Sequence, residues 1–187
     1  MLIVLDPAGA EGDLRASEIC CPSRTSGRLR PWGYARTRVL RGLRGARVSV
    51  RPRRARCRSC TATHVLLPAE VAPRRADPVE VVVTALLAHH AGSGYRAIAA
   101  DLHVPADTVR SWLRRITGRA EWLRQTATVW AYERDPMLPP ILPTGSLLGD
   151  AVGAHRRRLG IKASPWQILT MVAGGRLLAP VQPALSG

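Results

Sequence analysis

The chain has 187 residues, with 28 Lys or Arg against 13 Asp or Glu, so its formal net charge is +15. A hydrophobic fraction of 46% is normal for folded domains and argues against wholesale disorder, and the longest apolar runs (residues 81–83 and 85–88) are too short to span a bilayer. The first residues lack the basic and long apolar segments of a secretory signal. We therefore expect a cytoplasmic protein with no membrane partner, whose four cysteines are metal ligands or free thiols rather than disulfides.

The N-terminal third is predicted to be short β structure. Residues 1–19 read as an apolar strand followed by a loop rich in Gly and Asp, and residues 20–72 as a small Arg-rich β-hairpin module. Within this module, residues 47–51 alternate apolar and basic side chains as a half-buried strand does. Residues 28–40 are its expected partner strand, with glycines in the turn between them.

The positive charge is concentrated in this β module. No acidic residue occurs between Glu18 and Glu70, whereas 13 arginines do. The guanidinium fork matches phosphate oxygens, so the module is expected to contact the phosphates of a nucleic acid. The alternative is that these arginines are merely solvated, but solvation does not explain the missing acids. The expected phosphate contacts are Arg36, Arg51, Arg53, Arg54 and Arg56.

A helical domain is predicted over residues 73–134, after a linker marked by three prolines. The helical pattern is cut at residues 92–94, at 104–105 and near Gly118. Residues 135–187 are predicted to form a Pro-rich linker and short helices, one over residues 146–159 and one that begins at Ser164.

Residues 95–114 match the pattern of a helix-turn-helix. This motif needs apolar residues where two helices cross and a very small residue at their closest contact, and Ala99 is the small residue here. The apolar positions are Ile98, Leu102, Val104, Val109 and Trp112. His103 occupies the turn, where a positive φ is expected, and residues 79–90 would supply a third core helix.

The second helix of such a motif lies in the major groove of DNA. The residues expected to face or flank the DNA are Arg96, Ala106, Asp107, Arg110, Ser111, Arg114 and Arg115. Asp107 could accept a hydrogen bond from cytosine or simply complement the helix N-terminus. The alternative is a plain pair of helices without DNA-binding function.

The cysteines suggest a zinc ribbon with one altered ligand. Cys57 and Cys60 form a Cys-x-x-Cys pair after a strand, but Arg24 stands where a second pair, begun by Cys20 or Cys21, would be completed. His64 follows closely, so one zinc ion could be held by Cys21, Cys57, Cys60 and His64. The alternative is a degenerate ribbon that has lost its metal.

Several motifs in order carry a family resemblance. They are Cys21-Pro22, Trp32-Gly33-Tyr34-Ala35-Arg36, Arg56-Cys57-Arg58-Ser59-Cys60, Thr63-His64-Val65-Leu66-Leu67-Pro68 and Thr108-Val109-Arg110-Ser111-Trp112-Leu113, with similar segments at residues 164–166 and 175–178. The series resembles an uncharacterised family of high-G+C bacteria, a domain of unknown function similar to the DNA-binding front of certain transposases. The family has a Cys-Pro-x-Cys opening, from which this chain departs at Arg24. The resemblance implies DNA binding and little beyond it.

The sequence does not predict an enzyme. A transposase holds two metal ions with a carboxylate triad, but two of the few candidate acids, Asp101 and Asp107, lie inside the helix-turn-helix, and there is no room for a catalytic core. We expect an α+β, nucleoid-associated protein that binds double-stranded DNA as a regulator or as the targeting part of a transposition system. A homodimer and a transposition partner protein both remain open. The alternative is a non-catalytic adaptor that binds protein, and RNA binding is disfavoured because few aromatic residues are available for stacking.

Overall fold

The computed structural model describes residues 1–140 together with Gln167, Thr170, Ala173, Gly175 and Leu178. The described elements, in chain order, are β1 (Leu2–Val4), α1 (Pro7–Ala16), β2 (Cys20–Cys21), β3 (Arg24–Tyr34), β4 (Arg38–Arg41), β5 (Arg47–Val50), β6 (Arg53–Cys57), β7 (Thr63–Pro68), α2 (Val79–His90), α3 (Tyr95–Leu102), α4 (Ala106–Thr117) and α5 (Ala120–Arg134). The chain is therefore α+β, as predicted. The helix predicted over residues 146–159, and most of the one predicted from Ser164, lie outside the described residues.

A curled five-stranded sheet forms the centre of the N-terminal part, with the strand order β1-β7-β6-β3-β2. Only the β1–β7 pairing is parallel. One face of the sheet packs against α1, where Leu14 of the helix meets Leu29, Ala55 and Leu66 of the strands in a small buried core. Residues 1–19 are thus joined to the β module by both β1 and α1.

The prediction of a loop after β1 is wrong, because residues 7–16 form α1. The Asp6 side chain accepts a hydrogen bond from the Ala8 N–H at 2.9 Å, and Pro7 begins the helix, which are standard features of a helix N-terminus. Gly9 leaves room for this cap, since a Cβ there would lie 2.6 Å from the Asp6 carboxylate. Burial of Leu14 against the sheet offsets the low helix propensity of the glycines.

The predicted pairing of residues 28–40 with residues 47–51 is also wrong in part. That segment is divided between two sheets: β3 pairs with β6, and only β4 pairs with β5, in a separate two-stranded hairpin. The turn of this hairpin contains a single 3₁₀ turn (Leu43–Gly45), and Gly45 has a φ of +76°. The glycine-marked turn is therefore where the sequence predicts it.

The helices of the second part follow the predicted breaks at residues 92–94, at 104–105 and near Gly118. They share a core in which Val82 of α2, Ile98 of α3, and Val109 and Trp112 of α4 are buried. His103 has a φ of 54°, the left-handed conformation expected between α3 and α4. Among the described residues, no helix has the length and apolar character needed to cross a membrane.

Candidate functional site

Three thiols meet at one end of the five-stranded sheet. The Sγ atoms of Cys21, Cys57 and Cys60 all lie within 4.8 Å of one another, and those of Cys21 and Cys60 are 3.7 Å apart. Two thiolates on a tetrahedral zinc ion, with Zn–S bonds of about 2.3 Å, would lie about 3.8 Å apart. The three cysteines can therefore bind a metal ion without a large rearrangement.

His64 lies beside this thiol cluster. It is on β7, only 6% exposed, and its Nε2 is 3.4 Å from the Cys21 Sγ. Burial lowers the pKa of His64, which favours the neutral ring that metal ions bind. The structure thus brings together three of the four predicted ligands, Cys21, Cys57 and Cys60. His64 lies next to Cys21 but outside this mutual group, and the adjacent Cys20 is exposed.

The backbone also shapes the thiol cluster. The Cys60 and Ser59 N–H groups donate to the Cys57 Sγ at 3.5 Å and 3.4 Å, and they lower the pKa of Cys57 below its usual value. Gly27 passes so close that a Cβ would lie 2.6 Å from the Cys57 Sγ. Gly27 was not among the residues predicted from the sequence to shape the site, although a glycine within a strand is a signal of close approach.

Arg53, one of the expected phosphate contacts, is occupied inside the protein. Its Nε and one terminal nitrogen donate to the Glu11 carboxylate at 2.7 Å and 3.0 Å, and the other terminal nitrogen donates to the Gly33 carbonyl at 2.8 Å. The hydrogen bond from Arg53 lowers the pKa of Glu11. Arg53 therefore joins α1 to the sheet. This role could not be predicted from the sequence because α1 itself was not predicted.

The other expected phosphate contacts are placed differently. Arg51 lies over the ring of Tyr34 at 4.9 Å, and Arg56 lies over the ring of Trp32 at 4.7 Å. Arg36 is exposed and Arg54 is half-buried, and neither has a hydrogen-bond or ion-pair partner in the part of the chain that the structure describes. These four guanidinium groups keep more of their hydrogen-bonding capacity than Arg53 does.

The β4–β5 hairpin is fixed to the helical part. Arg41 donates to both carboxylate oxygens of the buried Asp77 at 3.0 Å and 3.2 Å, and the Arg41 N–H donates to the Ala76 carbonyl at 2.7 Å. Leu43 at the tip packs against the helical core. The tip (Leu43–Gly45) therefore lies close to α3 and exposes Arg44, and Arg47 is exposed at the start of β5.

On α4, an exposed stripe is formed by Asp107, Arg110 and Arg114, which we call the α4 stripe. Their spacing of three and four residues places them on one face of the helix. No hydrogen bond or ion pair engages these side chains within the described part of the chain. Within the described residues, the stripe therefore presents two unpaired arginines and one aspartate to solvent.

The remaining residues predicted on or near this face lie elsewhere. Arg115 donates to the Ser111 hydroxyl and to the Leu178 carbonyl, both at 3.2 Å, so its side chain turns toward Leu178 and away from the α4 stripe. Ala106 is half-buried. Arg96 is exposed on α3, with its guanidinium 5.6 Å from the centre of the Tyr95 ring.

Two features of the described residues are therefore candidate functional sites. One is a thiol cluster suited to a metal ion, and the other is the set of exposed arginines on α4 and at the hairpin tip. Their interpretation rests on this geometry. Comparison with protein families, with curated proteins and with solved structures finds no match to this chain.

Proposed function

We propose that the protein is a non-enzymatic, nucleoid-associated protein that binds double-stranded DNA. In this proposal α3 and α4 act as a helix-turn-helix, with α4 in the major groove. The α4 stripe carries the proposal, because its exposed arginines are unpartnered among the described residues while Val109 and Trp112 are buried on the opposite side. Arg110 and Arg114 offer the bidentate donors that suit guanine.

The hairpin supports the same docking. In a helix-turn-helix complex the first helix crosses the DNA backbone, so an element packed beside α3 would lie next to phosphates. The hairpin tip contacts α3 and exposes Arg44 there, and Arg47 is exposed at the start of β5. The bidentate contact of Arg41 with Asp77 would fix the position of the Arg44 and Arg47 charges relative to α4.

Zinc would have a structural role in this proposal. Cys21, Cys57, Cys60 and His64 would fill all four positions of a tetrahedral ion and leave none open for catalysis. The three thiols within 4.8 Å of one another support the cysteine ligands, and the 3.4 Å from Cys21 Sγ to His64 Nε2 supports His64 as the fourth, which would move closer to Cys57 and Cys60 on binding the ion. The ion would supply folding energy by joining β2 to β7 and to the turn after β6.

The test is selection of a preferred duplex from a random library, followed by anisotropy titrations between about 50 and 200 mM salt. If six to ten phosphates are contacted, affinity should fall by about 10³- to 10⁵-fold across this range. Replacing Arg44 and Arg47 by Ala should reduce the salt slope by about two, since each phosphate contact contributes about one.

Arg15→Ala is the matched control for this test, because Arg15 is an exposed arginine on α1, away from the hairpin tip. It should leave the slope unchanged. A salt-independent affinity, or a library without an enriched sequence, would contradict sequence-specific duplex binding and favour an adaptor role.

A further inference from the structure

We propose that the face of the five-stranded sheet turned away from α1 binds the unpaired bases of single-stranded nucleic acid. The surface consists of Trp32 with Arg30 and Arg56, and we call it the Trp32 platform. This function goes beyond the reading of a duplex by α4 and does not depend on it.

The strand register places the side chains of the Trp32 platform next to one another. Arg30 on β3 lies directly opposite Arg56 on β6, and their guanidinium groups are 5.7 Å and 4.7 Å from the centre of the Trp32 ring. The neighbouring residues Leu29 and Ala55 are fully buried under α1. Because side chains alternate between the two faces of a sheet, Arg30 and Arg56 project from the face opposite α1.

This arrangement is unfavourable for the isolated protein. Like charges directly opposite each other destabilise a strand pair, and no carboxylate among the described residues pairs with Arg30 or Arg56. Trp32 between them is 41% exposed, so a large apolar ring faces water. A polyanion that also offers aromatic surface would satisfy both groups at once.

Unpaired bases have this combination of properties. In a duplex each base face is covered by its neighbours, whereas a single strand can stack its bases on aromatic rings or guanidinium planes while its phosphates meet arginines. Tyr34, two residues further along β3, is not part of this platform: the strand is irregular between Pro31 and Tyr34, and Tyr34 lies opposite Arg53, which binds Glu11 on the α1 side of the sheet.

The experiment compares labelled dT and rU oligonucleotides of about 15 nucleotides with a duplex, using the full chain. Trp32→Ala and Trp32→Leu should each weaken single-strand binding about tenfold or more, because leucine keeps apolar bulk but has no π-face. Trp32→Phe should retain most of the affinity. Duplex affinity should be unchanged in all three variants.

A second measurement does not depend on the truncating variants. Titration with dT should quench tryptophan fluorescence in the wild type, and the part of the quenching due to Trp32 should disappear in Trp32→Phe. Similar affinities for dT and rU would identify the unpaired base as the ligand, and a strong preference would assign the platform to DNA or to RNA.

The proposal is overturned if Trp32→Leu binds dT and rU as the wild type does, or if it weakens single strands and duplex equally. A protein that binds dT through Trp32 but shows no duplex affinity would refute the proposed helix-turn-helix function and leave this platform in place. Arg58→Ala, which removes an exposed arginine of the same module, controls for the general effect of charge.

Discussion

The Cys21 Sγ and the His64 Nε2 lie 3.4 Å apart, although 43 residues separate them in the chain. Cys21 is on β2 and His64 is on β7, and β3 and β6 lie between these two strands in the sheet. The contact therefore spans two intervening strands at the end of the curled sheet. Cys21 of β2 thus contacts His64 of β7 on one side, and on the other it lies within 4.8 Å of the Cys57 thiol of β6 and the Cys60 thiol. Stability of the β module should therefore depend on what these four side chains bind.

We predict that the purified protein carries one zinc ion and that Cys57→Ser loses it. Because zinc would supply much of the folding energy of this small module, the variant should unfold residues 20–68. Elemental analysis measures the metal, and hydrogen exchange locates the unfolding.

Cys20→Ser is the matched control, since Cys20 neighbours the cluster in sequence but is exposed outside it. This variant should keep both its zinc and its fold. A metal-free wild type whose Cys57→Ser form remains folded would establish a degenerate ribbon instead.

A second prediction concerns Gly27, which has no room for a side chain. Gly27→Ala would place its Cβ 2.6 Å from the Cys57 Sγ, so one or the other must move. We expect a loss of about 1–3 kcal/mol in the free energy of unfolding, together with weaker zinc binding. Gly12→Ala should do the opposite and stabilise the protein by about 0.5–1 kcal/mol, because Gly12 lies in α1 with open space around it. Denaturant unfolding measures both changes, and an unaffected Gly27→Ala would show that the cluster is more loosely packed.

The helices of residues 79–133 could be predicted because their signals are local. Apolar periodicity predicts each helix. Gly92, Pro105 and Gly118 interrupt the periodic pattern, and each lies within one turn of an observed helix end. The partners of the strands could not be predicted in this way, since alternation identifies a strand without naming its neighbour. Helix α1 was missed although Asp6 and Pro7 are local signals of a helix start, because Gly9 and Gly12 lower its propensity and the burial of Leu14 against the sheet is a tertiary effect.

The same distinction applies to the site. The Cys-x-x-Cys spacing alone predicted that Cys57 and Cys60 are ligands of one ion. The closeness of His64 in the sequence suggested it as a further ligand. The internal role of Arg53 could not be predicted, since it requires Glu11 to lie on a helix packed against the sheet. Likewise, only the position of Leu178 shows that Arg115 turns away from the α4 stripe.

A third prediction follows from the pair formed by Glu11 and Arg53. The hydrogen bond from Arg53 lowers the pKa of Glu11 in the folded state, so ionised Glu11 stabilises the fold. This contribution is complete above the unfolded pKa, which is about 4.3, and is lost as the pH falls through the folded pKa. Glu11→Gln should thus cost about 1 kcal/mol at neutral pH, and its melting curve should converge with that of the wild type in acid.

Thermal melts of the two proteins from about pH 7 to about pH 2 measure this convergence. Glu121→Gln is the control for an exposed carboxylate: Arg124 and Gln125 of the same helix donate to Glu121 and lower its pKa to about 2, but the pair with Arg124 is well exposed, so solvent screens it. Its effect at neutral pH should be smaller. A difference between wild type and Glu11→Gln that stays constant with pH would mean that Glu11 acts through packing and not through its charge.

The last prediction separates base recognition from folding on α4. Trp112 is buried in the helical core, so Trp112→Ala should cost about 3–5 kcal/mol and abolish all DNA binding by melting the helices. Arg110 is exposed on the α4 stripe, so Arg110→Ala should leave the melting temperature unchanged. It should weaken the preferred duplex by about 1–3 kcal/mol while barely changing non-specific affinity.

Arg115→Ala on the same helix is the control for this comparison. Its guanidinium donates to Ser111 and Leu178, so the variant should lower stability without changing the order of preferred sequences. Thermal melts and anisotropy titrations on preferred and scrambled duplexes distinguish the three variants. If Arg110→Ala weakens both duplexes equally, Arg110 contacts a phosphate, and α4 lies in the groove with a different face toward the bases.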